Sequence, residues 1–323
     1  MTNDLVVLFE HPEWQKPLFA ALERRGVRFG KYDLKRAAFD SAELPSAGLH
    51  DKAPLYFNQA SPSAYVRGNT RAVPFAMALM RTLELGGARV LNGTRAFSLE
   101  LSKSAQAALM HRLGIAHPKS LAFNDVDTAL AQWGDRWPAL IKPEQGGSGA
   151  RMYLIQSAAE LQRLLRDQPD LWFPDNLLLL QEYFAVDPSR GIVRMEFLGS
   201  ELLYAMRVIS HGAFNLCPSE VCNPETGDSQ CAVPAIPEEK QPSVPVEFLP
   251  YAEVPAAAVE TGKRLMEAGG LDVGGIEYLE ADDGRLIFYD INANSNLRAP
   301  IARVFGFDPF ERVVDFLVAQ IPR

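Results

Sequence analysis

The stretch that decides the fold is Phe288-Tyr289-Asp290-Ile291-Asn292-Ala293-Asn294-Ser295-Asn296. A β-rich run, Arg285 to Tyr289, ends there in a carboxylate, and Asn292 and Asn294 follow at a spacing of two. Residues i and i+2 of a strand point to the same face, so Asp290 and Asn292 can aim two hard oxygen ligands at one point. Upstream, Gly275-Ile276-Glu277-Tyr278-Leu279 reads as a partner strand that brings a third oxygen, Glu277. Asp282-Asp283-Gly284 between the two is a hairpin signal. Such a hairpin suits Mg²⁺ shared with substrate phosphates. The same residues also suit a hairpin with solvated acidic ends, and the stretch alone does not choose between them.

At 323 residues the chain has room for two or three domains, and its 47% apolar content supports a real core. A formal charge of −8 argues against general nucleic-acid binding but leaves room for a local cationic pocket. No apolar run reaches transmembrane length. The start, Met1-Thr2-Asn3-Asp4, lacks the basic region of a signal peptide. Three cysteines do not make a disulfide scaffold. These features point to a cytoplasmic protein without a membrane partner.

Residues 1–92 alternate strands (5–9, 27–34, 55–58, 88–92) with helices (14–25, 71–86), the pattern of a parallel sheet covered by helices. Ligands of such sheets sit beyond the carboxyl ends of the strands. His11 and Arg67 fall there and become candidate substrate contacts, with ordinary loop polarity as the alternative. No G-x-G-x-x-G follows the first strand, so a dinucleotide site is not supported.

In residues 93–184, Ser98 to Leu113 reads as one amphipathic helix that includes Lys103. Pro138 to Pro143 is a short apolar strand with Lys142 near its end, and Gln145-Gly146-Gly147-Ser148-Gly149-Ala150-Arg151 follows directly. Three glycines around one serine make a loop whose amides can approach phosphates closely, although no Walker A pattern is present. Met152 to Ile155 returns as a strand, which places the loop on a hairpin tip. Leu177 to Phe184 is a buried strand that ends in polar groups.

Residues 185–323 begin with an antiparallel pair carrying Arg194 and Arg207, which in this reading face similar environments. A surface ion pair with Glu196 or Glu201 is the alternative for each. Residues 210–250 form an irregular insert, more suited to a lid or substrate element than to a linker. It holds Cys217, Cys222 and Cys231 near His211, a spacing that matches no common structural-zinc pattern. Arg298, just past the acidic hairpin, can meet a substrate carboxylate. Asn294 and Asn296 lie beyond the strand end and read as facing the substrate.

The ordered set of Lys103, Lys142, the Gly146–Gly149 loop, Gln181-Glu182-Tyr183, two arginine-bearing strands, Glu277, Asp290 and Asn292 resembles the ATP-grasp superfamily. Its RimK-type glutamate ligase and glutathione-synthetase-like branch is the nearest match. The resemblance implies an α/β (α+β) architecture in which two subdomains, 93–184 and 185–323, grip ATP behind a pre-ATP-grasp domain, 1–92. It implies phosphate contacts from Lys103 and Lys142, and a lid made by Gly146, Gly147, Ser148 and Gly149. Gln181, Glu182, Tyr183 and Phe184 would lie by the adenine, with Asp187 on the ribose. Glu277, Asp290 and Asn292 would hold Mg²⁺, or Mn²⁺ in its place, and Arg207 and Arg194 would serve the transferring phosphoryl group or the substrate. The usual final motif is Glu-x-Asn, whereas Asp290 here is one methylene shorter.

The expected activity is ATP-dependent joining of a carboxylate to an amine, on an amino acid or peptide, through an acylphosphate. A small-molecule kinase and a non-catalytic nucleotide-binding protein are the alternatives. A homodimer or homotetramer is the expected assembly.

Overall fold

The structure is a computed structural model and describes residues 3–42, 54–147, 149–185, 187–210 and 246–322. It begins with β1 (Leu5–Phe9), α1 (Pro12–Arg24), β2 (Phe29–Asp33), β3 (Leu55–Gln59), α2 (Ala72–Leu85) and β4 (Arg89–Leu91). The strands form a parallel sheet in the order β2-β1-β3-β4. Every residue of β1 is buried, as expected of a parallel strand covered on both faces. Alternation divides the strands between two apolar layers. Val6, Leu8 and Tyr56 meet α2, whereas Leu5, Val7 and Phe57 meet Leu18 and Leu22 of α1.

The segment expected as one helix is two, α3 (Thr94–Leu101) and α4 (Lys103–Arg112). Ser102 leaves the helical region (φ −123°, ψ 105°) and its hydroxyl accepts from the Ala105 amide, capping α4. Glu144 then accepts from the Ser102 hydroxyl at 2.6 Å and from the Ser104 amide at 3.1 Å, so the break is fixed by a residue 42 positions away. Lys103 is thereby placed at the first position of a helix rather than in the middle of one.

Next come β5 (Ser120–Phe123), α5 (Val126–Trp133), β6 (Ala139–Pro143), β7 (Tyr153–Ile155), α6 (Ala158–Asp167) and β8 (Leu178–Glu182). The strands form an antiparallel sheet in the order β5-β8-β6-β7. Ala139 and Ile141 face the core under α5 and α6, which turns Leu140 and Lys142 to the other side.

A second antiparallel sheet, in the order β11-β10-β9-β12-β13, is built from β9 (Ile192–Leu198), β10 (Glu201–Ile209), β11 (Glu247–Pro250), β12 (Val273–Glu280) and β13 (Leu286–Asn292). Helix α7 (Ala256–Gly269) packs Ala258, Leu265 and Met266 against Val193, Met195, Ile276 and Tyr278. β11 lies within the stretch read as irregular, and its partner is Met206–Ile209 of β10. The chain ends in α8 (Ala299–Val304) and α9 (Pro309–Gln320), and α9 returns to the N-terminal sheet, placing Val313, Val314 and Leu317 beside Leu18 and Phe57.

Candidate active site

Between the two antiparallel sheets and the N-terminal sheet lies a cavity of about 680 Å³. It gathers most of the residues singled out from sequence. Lys103, Lys142, Gly146, Gly147 and Gly149 border it, as do Gln181, Glu182, Tyr183, Phe184 and Asp187. So do Arg194, Glu277, Asp290, Asn292, Asn294, Asn296 and Arg298. Ser148, His211, Cys217, Cys222 and Cys231 lie outside the described residues.

The acidic pair is a product of register. β12 and β13 set Glu277 directly opposite Asp290 and Gly275 opposite Asn292. A bulge between Glu277 and Tyr278 leaves Tyr289 as the extra residue of β13, and its hydroxyl donates to Glu277 Oε2 at 2.8 Å. Burial raises the Glu277 carboxyl in spite of Arg194, and Asp290 adds to the rise. For Asp290 burial also pushes upward, but Lys103, Lys142 and Arg194 outweigh it and hold the carboxyl below its ordinary value. Two facing carboxylates with an amide oxygen beside them form a hard, anionic oxygen set that a divalent cation would relieve. The described residues hold no cluster of three His, Cys, Asp or Glu side chains able to bind a metal unaided.

Cations already converge on this pair. Lys103 Nζ forms a salt bridge with Asp290 Oδ1. Lys142 Nζ donates to Gln181 Oε1 at 2.9 Å, and Gln181 Nε2 donates to Ser120 Oγ at 3.0 Å. Burial lowers the Lys142 ammonium to about 8, with Lys103 adding to the shift. Gln106 clasps α4 to β13 by donating to the Ile291 carbonyl at 2.9 Å and accepting from the Ile291 amide at 3.0 Å.

Arg194 is buried and points three ways. Its Nε donates to Glu196 at 2.6 Å, Nη1 to Glu277 at 2.7 Å and Nη2 to the Asn294 carbonyl at 3.0 Å. Burial opposes its charge, but Glu196 and Glu277 more than compensate, raising it above the ordinary arginine value. The guanidinium fills the space above Gly275, where a Cβ would stand 2.3 Å from Nη2.

Arg207 is a correction. Register pairs Arg207 with Val193 and Met206 with Arg194, so the two arginines lie on opposite faces of the sheet. Arg207 donates to Glu280 at 2.7 Å and lies 4.2 Å over the Tyr251 ring, an ion pair away from the cleft. His11 and Arg67 are corrections too, because neither borders the cavity. His11 caps α1, accepting from the Trp14 amide at 3.4 Å. Arg67 is buried against Glu10, donating at 2.6 Å, and stacks 4.4 Å over Trp14.

At the end of β8 and just beyond it, Glu182 accepts from the Lys119 amide at 3.2 Å, and Asp187 accepts from the Ser189 amide at 2.9 Å and hydroxyl at 2.7 Å. The Ser189 bonds lower the Asp187 carboxyl. The glycine loop rests on the 3-10 turn Pro62–Arg67. Gln145 Nε2 donates to the Pro62 carbonyl at 3.2 Å, and a Cβ on Gly147 would stand 2.6 Å from Ser63 Cβ. Overpacking of this kind costs about 1–3 kcal/mol. Gly147→Ala should therefore lift the loop, and limited proteolysis should cut it at least about fivefold faster than in the unaltered protein.

Sequence reading missed Glu100, which is buried at the cavity wall and raised to about 8 by burial. It also missed Glu144 and Tyr289. Glu100 and Glu144 look like ordinary acids in a linear sequence, and only the bulge turns Tyr289 inward.

No family model matches the chain, and no curated protein matches it in sequence. Solved structures do. The ATP-grasp ligase PsnB, complexed with a minimal precursor, superposes with a TM-score of 0.66 at 18% identity, over 98% of this chain and 99% of its own. PsnB has also been solved with Mg and ADP. The RimK domain protein ATP-grasp from Sphaerobacter thermophilus DSM 20745 gives 0.65 at 15% identity over 97% and 99%. The D-alanine–D-alanine ligase from Bacillus anthracis gives 0.67 at 11% over 99% and 97%. At these identities the likeness is one of architecture, and it extends over nearly the full length of each chain: the protein has the ATP-grasp fold.

Proposed function

We propose that this protein is an ATP-dependent carboxylate–amine ligase acting on an amino acid or peptide. The observation that carries the reading is the meeting of Lys103 and Lys142 with the facing Glu277 and Asp290 beneath a glycine loop, in one cleft. In this reading residues 1–92 form the leading domain, and 93–184 and 185–323 are the two halves of the grip. Lys103 and Lys142 bind the α- and β-phosphates, and the Gly146–Gly149 loop covers the β- and γ-phosphates. Glu182 and the Tyr183–Phe184 backbone meet the adenine edge beside Gln181, and Asp187 holds the ribose.

Glu277, Asp290 and Asn292 would hold Mg²⁺, or Mn²⁺ in its place, and the ion's charge would offset the charge spreading over the transferring phosphoryl group. Arg194 acts as a positioning residue that aims Glu277. Arg298, with Asn294 and Asn296, faces the acid. The acid's carboxylate oxygen attacks the terminal phosphorus of ATP, the bond to the bridging oxygen breaks, and ADP leaves. The amine nitrogen then attacks the acyl carbon, the C–O bond to phosphate breaks, and phosphate leaves with the proton that the amine gives up as the amide forms. A closed loop keeps water from the acylphosphate.

No helix among the described residues is long and apolar enough to cross a membrane. We assign the enzyme to the cytoplasm, as a homodimer or homotetramer. Calorimetry should detect Mg-ATP binding, and hydroxylamine offered in place of the amine should yield a hydroxamate from the substrate acid. ATP use with phosphorylation of a hydroxyl and no hydroxamate would mark a kinase on the same scaffold. No Mg-ATP binding would sink the enzymatic reading altogether.

A further inference from the structure

Two buried side-chain oxygens that border the cleft have no hydrogen-bond partner among the described residues: Glu100 Oε2 and Ser295 Oγ. A buried polar atom left unpaired is costly, and a ligand that fills the cleft is its natural partner. Glu100 is 2% exposed and stands in the last turn of α3, just before the break at Ser102. The amide of Asn294, the residue before Ser295, favours the charged form of its carboxyl. That contact joins the end of α3 to the segment that follows β13.

The charges around Glu100 are engaged elsewhere. Lys103 pairs with Asp290, and Arg194 pairs with Glu196 and Glu277. Burial raises the Glu100 carboxyl to about 8, and Asp290 adds to the rise, although Lys103 and Arg194 favour its charge. It is an acid in want of a cation, and one that enters would draw it into its carboxylate form. One open carboxyl oxygen and one hydroxyl are few ligands for a metal ion, but they suit the several N–H donors of an ammonium.

We propose that Glu100 and Ser295 form the subsite for the second substrate, and that this substrate is a primary amine whose N–H groups the two oxygens accept. This rests on the ligase reading above and names the class of its nucleophile. Lys103 and Asp290, the phosphate and metal contacts of that reading, are among the charges that act on Glu100. The subsite therefore adjoins the place where the acylphosphate forms, and it is the amine that must come to the acyl carbon there. An α-amino group titrates at about 7.7–8.0, close to the buried carboxyl, so a proton passes between the two at little cost. The ammonium N–H bond breaks as the Glu100 O–H bond forms, and the freed lone pair is the one that attacks.

Calorimetry on the full chain saturated with Mg-AMPPNP tests this. Glycinamide is the probe, and glycolamide, which carries a hydroxyl in place of the amine, is the control. Glycinamide should bind at least about tenfold more tightly than glycolamide, the scale of a hydrogen bond to a charged group. Glu100→Gln should abolish that preference, and Ser295→Ala should reduce it. Should Glu100→Gln fail to fold, Glu100→Asp replaces it, and a carboxyl drawn back by one methylene should cut the preference without abolishing it. No glycinamide binding, equal affinity for glycinamide and glycolamide, or a preference that these Glu100 variants leave unchanged overturns the proposal while Mg-AMPPNP binding leaves the nucleotide site standing. Loss of Mg-AMPPNP binding in the unaltered protein removes the ligase reading and this proposal with it.

Discussion

Lys142→Met should slow ADP release by roughly 10²–10³-fold, the cost of removing one preorganised electrostatic contact from a transition state, and should make the protein more stable at neutral pH. Both effects come from the same buried ammonium. Lys142 titrates near 8 in the folded protein, against an ordinary value of 10.5. Between those values the unfolded chain binds more protons than the folded one, so stability rises with pH through that window. Below about pH 8 the ammonium is charged in both states, and its burial is a net cost to the fold. A neutral methionine removes that cost, although the lost bond to Gln181 offsets part of the gain. Thermal melts without nucleotide should show the variant melting higher at pH 7, with a flatter profile from pH 8 to 10.5. Unchanged ATP turnover would refute the phosphate role of Lys142, and a lower melting point at pH 7 would refute the energetic argument.

Arg194→Met should have the largest effect on folding. Arg194 neutralises Glu196 and Glu277 at once, and all three are buried. Removing one member of such a group leaves uncompensated buried charge, at about 3–5 kcal/mol. Chemical denaturation should show a loss of that size, and adding Glu196→Gln to Arg194→Met should recover part of it. Arg194→Lys should not rescue, because one ammonium cannot reproduce a three-way planar fork. Gly275→Ala acts on the same network more mildly, by pushing a Cβ into the guanidinium; about 1–3 kcal/mol is expected. An Arg194→Met variant as stable as the unaltered protein would mean that the carboxylates are protonated in the fold and do not need the arginine.

Much of this fold can be read along the chain. β1, β3, β6, β8 and the β12–β13 hairpin announce themselves through β-branched and apolar runs bounded by turn residues. Lys103, Lys142 and the glycines are chemically distinctive at those positions. What stayed hidden depends on partners distant in sequence. The break at Ser102 is stabilised by Glu144, in the loop after β6. β11 looks irregular because it is four residues long and ends in Pro250, and only pairing with β10 makes it a strand. Arg194 and Arg207 seem equivalent in a hairpin read by eye, but the cross-strand register sets them on opposite faces. Asn92 looks like the end of a strand. It adopts a positive φ of 50° and ties the N-terminal sheet to the β12–β13 hairpin, donating to the Val273 carbonyl at 2.7 Å and accepting from the Asp272 amide at 2.8 Å. A single sequence carries no signal for a contact across 180 residues.

The central claim is that phosphate is transferred to a carboxylate before an amide forms, and isotope transfer tests it most directly. The acid substrate is labelled with ¹⁸O in its carboxylate, turned over with unlabelled ATP and the amine, and the released phosphate is analysed by mass spectrometry. An acylphosphate route moves one ¹⁸O from the acid into each phosphate released. Amide formation with unlabelled phosphate, or ATP use without any amide, would contradict it.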